Sequence, residues 1–124
     1  MMYHARYTAT LAVDATEGSI NLYGVKGRIR LIQSTVDNVG GVTTYTLTVR
    51  TPAGATVAVT GALADNGTVI VNPETLTGAN EWTNGIPVYC IDATITGAWT
   101  LLITPNAAVT TAASTWTIDI LFED

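Results

Sequence analysis

The chain has 124 residues, with 10 Asp and Glu against 5 Lys and Arg, a formal net charge of −5, one histidine and one cysteine. That length fits one domain with its own core. The acidic balance argues against nucleic acid, which calls for a basic footprint. A lone cysteine excludes an intrachain disulfide, and no stretch reaches the roughly 18 apolar residues of a membrane-spanning helix.

Threonine fills 23 positions and serine three, and much of the threonine alternates with apolar residues. A period of two puts one face in a core and the other against water, as a half-buried strand requires. Threonine suits the outward face because its branched Cβ favours extended backbone. Residues 1–6 lie outside the periodic region and are expected to form a flexible arm with His4 solvated. Residues 7–13 predict the first strand, with Tyr7, Ala9, Leu11 and Val13 on one face. A turn at 14–18 leads to a short strand at 19–23, ended by Gly24. Residues 28–36 predict a third strand with Ile29 and Leu31 facing inward.

Turn chemistry at 37–41 precedes the clearest strand, 43–51, where Tyr45, Leu47 and Val49 alternate with threonines. Pro52 and Gly54 stand where a tight turn wants them, so 55–60 should return antiparallel. A loop over 61–67 and a short strand at 68–71 follow, and 72–85 is a long loop with little period. Strand character resumes at 86–95 and, after Thr96-Gly97, at 98–104, where Trp99, Leu101 and Ile103 share a face. A small-residue loop at 105–113 leads to the last strand, 114–122. The pattern predicts an all-β fold over 1–124: a single antiparallel β-sandwich, jelly-roll-like, of about eight to nine strands.

Chemistry is sparse by comparison. One histidine and one cysteine make no Cys–His nucleophile pair within a motif, and no Gly-x-Ser-x-Gly elbow or standard zinc set is present. Glu74 and Glu81 share the long loop without a fixed separation. Asp14 with Glu17, or Asp65 with Asn66, could help a shallow oxygen site, but turns favour Asp and Asn for backbone reasons alone. Neither an enzyme nor a cofactor is expected. Cys90, Trp99 and Trp116 read as core, and Asn66-Gly67-Thr68 matches a glycosylation acceptor but, without a secretory signal, reads as a turn.

Two clusters suit contact with a partner. Trp82, flanked by Asn80, Glu81, Thr83 and Asn84, offers an aromatic plate ringed by amides and a hydroxyl. That set fits a sugar ring or a protein hot spot, or Trp82 tucks over the core edge. Lys26, Arg28 and Arg30 recur at every second residue, so one strand face carries three of the five basic groups. Such a stripe pairs with an acidic patch on a neighbour, or guards an edge strand against unwanted pairing.

The segments Thr96-Gly97-Ala98-Trp99-Thr100-Leu101 and Ser114-Thr115-Trp116-Thr117-Ile118 resemble the closing strands of jelly-roll accessory domains such as the proprotein-convertase P domain. The Pro-x-Gly hairpin within 46–59 is similar to an earlier part of that pattern. The acidic calcium positions of that family's final loop are missing from 105–113, and this chain holds no protease domain, so the resemblance implies architecture alone. In composition the chain is similar to small accessory proteins of tailed-phage virions, both capsid decoration (cement) proteins and tail components. Only 12% of its residues are charged, about half the usual share, so Thr, Ala, Gly and Asn or neighbouring chains must cover the surface. Residues 1–7 carry no secretory-signal pattern, which fits assembly in a host cytoplasm.

The expectation is therefore a non-enzymatic structural protein that self-associates, with a trimer favoured, and docks on a larger lattice such as a capsid or tail. Neither nucleic acid nor membrane is an expected partner. The alternative is a monomeric carbohydrate-binding module built on the Trp82 loop.

Overall fold

The computed structural model describes residues 1–23, 25, 27–71, 82–85, 90–91 and 98–123, with backbone alone at Arg28, Ala58 and in 82–85 and 90–91. Alternating Thr and apolar residues form strands nearly everywhere the period of two predicts them. In chain order these are β1 (Met2–Leu11), β2 (Gly18–Asn21), β3 (Gly27–Val36), β4 (Thr44–Arg50), β5 (Thr56–Thr60) and β6 (Leu63–Ala64). They continue as β7 (Gly67–Val71), β8 (Trp82–Gly85), β9 (Cys90–Ile91), β10 (Thr100–Pro105) and β11 (Ser114–Glu123). No helix forms among the described residues.

Two antiparallel sheets share these strands. One runs β1-β11-β3-β7, with β9 beside β3; the other runs β2-β10-β4-β5-β8, with β6 beside β4. The protein is thus an all-β sandwich, and its count of eleven described strands exceeds the eight to nine expected. The additions are short. The two residues of β6 pair with Thr44 and Tyr45, and β8 pairs with β5, so backbone pairing extends into stretches whose side chains show no period.

The core lies between the sheets. Ile29, Ile32, Trp116, Ile118 and Ile120 come from one, and Tyr45, Leu47, Val49, Leu101 and Ile103 from the other, all essentially fully buried. The Tyr45 and Trp116 rings meet edge-on, 5.7 Å between centroids at 77°. Tyr45 also shares a 2.6 Å hydrogen bond with Ser34 across the sheets, and both residues are buried. The indole N–H of Trp116 finds no acceptor among the described residues, where packing holds the ring.

Two expectations change in β1 and β3. Residues 2–6, expected as an arm outside the periodic region, form the first half of β1, and each has a register partner in β11. Alternation in fact reaches back to Tyr3, which stacks on Phe122 at 5.6 Å. In β3, Leu31 was expected to face inward with Ile29, yet Ile29 and Ile32 are the buried pair and Leu31 is only partly covered. A register shift opposite Leu121 and Phe122 adds a residue to the β3 side, and such a bulge inverts the facing of everything beyond it.

Candidate interaction surface

The outer face of the β1-β11-β3-β7 sheet is built from the residues that alternate with the core. Register fixes them in rows. Thr8, Thr117, Thr35 and Thr68 lie side by side across four strands. The next row is Arg6, Asp119, Gln33 and Ile70, and beyond it lie His4, Leu121 and Leu31. Hydroxyls bond along and beside the first row, Thr35 to Thr68 at 2.9 Å and Thr10 to Thr115 at 2.8 Å.

Charge on these rows is concentrated in one network. Asp119 is 8% exposed although it points away from the core, because His4 and Arg6 from β1 cover it. His4 Nε2 donates to Asp119 Oδ1 at 2.7 Å, and Arg6 Nε donates to the same oxygen at 2.7 Å. Arg6 Nη2 reaches Oδ2 at 3.4 Å. The Arg6 hydrogen bond holds the Asp119 carboxyl below its ordinary range; burial works against this shift, and His4 adds to it. His4, expected to be merely solvated, is therefore half-exposed and tied to β11. The cluster pins the edge strand to its neighbour and balances the Arg6 and Asp119 charges within their row.

β1 is the outermost strand of its sheet among the described residues. Its side of the sandwich collects exposed apolar groups: Met1, Met2, Tyr3, Val13 and Tyr23 are all 42% exposed or more. Tyr23 belongs to this side because its carbonyl accepts the Tyr7 hydroxyl at 2.5 Å.

One end of the sandwich holds an open groove of about 470 Å³ between the β3–β4 and β10–β11 connections. Asp37, Asn38, Thr110, Thr111 and Thr115 line it. The loops are locked together: Thr110 N donates to Gly40 O at 2.8 Å, and a Cβ at Gly40 would lie 2.6 Å from Thr110 O. Asn106 Oδ1 accepts from the amides of Thr43 and Thr44, and its Nδ2 donates to the Thr43 hydroxyl at 2.9 Å. Asp65, a turn residue and a candidate oxygen ligand by sequence, accepts the Val39 amide at 3.3 Å. Thr111 adopts φ 72°, a left-handed conformation that a β-branched residue rarely takes.

The contact residues expected from sequence scatter. Trp82 and Asn84 lie in β8, opposite Thr60 and Val59, where a loop was expected; their side chains, with Asn80 and Glu81, lie outside the described residues. Lys26 lies outside them as well. Arg28 and Arg30 are in β3, which is an interior strand flanked by β11 on one side and by β7 and β9 on the other. Guarding an edge therefore cannot be their role. Arg30 is exposed and makes a polar interaction.

Sequence reasoning missed His4, Arg6 and Asp119. The alternation of β1 extends back through residues 2–6 and was the available signal. No known family model matches this chain, and no curated protein is significantly similar to it.

Proposed function

We propose that this protein is a non-enzymatic structural component that self-associates and docks on a larger protein assembly, as a decoration or tail protein does on a phage particle. The observation that carries this reading is the surface of the β1-β11-β3-β7 sheet. Its rows carry threonine, leucine, isoleucine and Gln33 around one ion cluster, with Arg30 as a further exposed charge on β3, and its β1 side bears the exposed Met and Tyr side chains. A surface with so little free charge is suited to burial against protein rather than to steering a charged ligand.

The winding supports the same reading at the level of architecture. Apart from β4, β5 and β6, which share a sheet, successive strands alternate between the two sheets, a winding compatible with jelly-roll architecture. Capsid and lectin domains both use jelly rolls, so this support is by analogy and leaves the partner open.

Titration with a panel of saccharides, read by tryptophan fluorescence, tests the proposal against its rival. A silent titration is expected. A saturable change that disappears in Trp82→Ala would replace assembly by carbohydrate binding.

A further inference from the structure

We propose that Asn66 is a site of self-modification, where the chain's own backbone converts the asparagine through a cyclic succinimide to aspartate and isoaspartate, in preference to Asn84. This goes beyond the assembly reading and does not depend on it.

The sequence holds two Asn-Gly pairs, Asn66-Gly67 and Asn84-Gly85. The reaction needs an asparagine side chain free to turn onto the amide nitrogen of the next residue, and a next residue with no side chain in the way. The dipeptides are identical, so the fold alone separates them. Asn84 and Gly85 both lie inside β8, with register partners Val59 and Ala58 in β5. Extended ladder backbone holds that pair away from ring closure. Asn66 instead is exposed, in the bend between β6 and β7. Gly67 pairs with Val36 at the last step of the β3–β7 ladder, where local opening costs least.

The surroundings of Asn66 favour the reaction too. Its side-chain amide makes no hydrogen bond among the described residues. Asn106, just after β10, is by contrast tied to Thr43 and Thr44 by three, and alanine follows it. Gly67 adopts φ 96°, and nothing lies within 4 Å of where a Cβ would stand, so the ring has room to form beside it.

Hydroxide removes the Gly67 amide proton, and the nitrogen attacks Cγ of Asn66. A C–N bond forms, the bond from Cγ to Nδ2 breaks, and Nδ2 leaves as ammonia with a proton from water. Water then opens the ring at either carbonyl, giving aspartate by one route and isoaspartate by the other. The chain thus exchanges ammonia for water and gains a carboxylate. Isoaspartate also inserts a methylene into the backbone directly before β7, next to the turn where Asp65 Oδ2 accepts the Val39 amide at 3.3 Å. The result is a slow, irreversible loosening of β7 on β3.

The test incubates the full chain, folded and urea-unfolded, in mildly alkaline buffer, with wild type, Asn66→Gln and Asn84→Gln in parallel. Peptide mapping by mass spectrometry follows each site, with electron-based fragmentation to tell isoaspartate from aspartate. In folded wild type, Asn66 is expected to convert about tenfold or more faster than Asn84, because opening a paired strand costs free energy that a bend does not. Its rate should climb with pH, and unfolding should bring the two sites to similar rates. Asn66→Gln should abolish product at that site and leave Asn84 unchanged, since the longer glutamine arm must close a larger ring. Equal rates at the two sites in the folded chain overturn the proposal. So does an Asn66 that converts only after unfolding, or in neither state.

Discussion

Removing the Tyr45 hydroxyl probes the one buried hydrogen bond between side chains of the two sheets among the described residues. Ser34 Oγ and Tyr45 Oη lie 2.6 Å apart, with Ser34 0% and Tyr45 1% exposed. A buried hydrogen bond contributes about 1 kcal/mol net, while a buried group left without its partner costs about 1–3 kcal/mol. Tyr45→Phe orphans the Ser34 hydroxyl but keeps the ring and its edge contact with Trp116, so the expected loss is about 2 kcal/mol. Ser34→Ala orphans the Tyr45 hydroxyl and should cost a similar amount. The double variant leaves no polar group unpaired, so its loss should fall at least about 1 kcal/mol short of the two single losses added.

Urea unfolding followed by tryptophan fluorescence gives all three values, and equal slopes are required for the comparison. Burial also pushes the Tyr45 hydroxyl above its ordinary value of 10.0, with the Ser34 hydrogen bond opposing. A raised value means that the contribution is complete below about pH 10 and is lost as pH climbs past it. Tyr45→Phe should therefore flatten the alkaline limb of the stability profile. Simple additivity of the single variants, or a Tyr45→Phe protein as stable as wild type, would refute the inter-sheet bond as a stabilising element.

Three other outcomes are expected. Asp119, held low by Arg6 and His4, contributes stability above about its unperturbed pKa of 3.8, and loses that contribution as pH falls through its lower folded value. Asp119→Asn should accordingly be less stable at neutral pH and less acid-sensitive; a wild-type acid limb in that variant contradicts the network. Thr111→Asn should raise the urea midpoint, with a gain of about 1 kcal/mol, because Asn tolerates the left-handed conformation that strains threonine. A loss of stability there assigns the Thr111 side chain a role beyond its backbone. Trp116→Ala should cost about 3–5 kcal/mol by chemical denaturation, since the ring is fully buried, and a loss below about 1 kcal/mol would mean that the core collapses around the site.

Much of the sandwich was legible because alternation with threonine is a local signal. Tyr45, Leu47 and Val49, and Trp99, Leu101 and Ile103, all face the core as their spacing predicts. The failures occur where non-local geometry overrides that signal. Val13 continues the alternation of β1 yet is 45% exposed, because Asp14 turns the chain at φ 73°. Leu31 loses its inward place to a bulge set by β11. Asp119 was readable as outward-facing, but its burial depends on Arg6, 113 residues away, and no local pattern encodes that pairing. The basic stripe was visible as spacing, whereas the interior position of β3 emerges only from sheet order. The threonine rows show the same limit: Thr8 was placed outward by its spacing, Thr35 fell on the face expected inward with Ile29 and Leu31, and the alignment of Thr8, Thr117, Thr35 and Thr68 requires the registers.

Absolute mass in solution, measured by light scattering behind a sizing column over a wide range of protein concentration, tests self-association most directly. The account predicts a species at least twice 13.0 kDa whose share grows with concentration. A 13.0 kDa monomer at every concentration would contradict it.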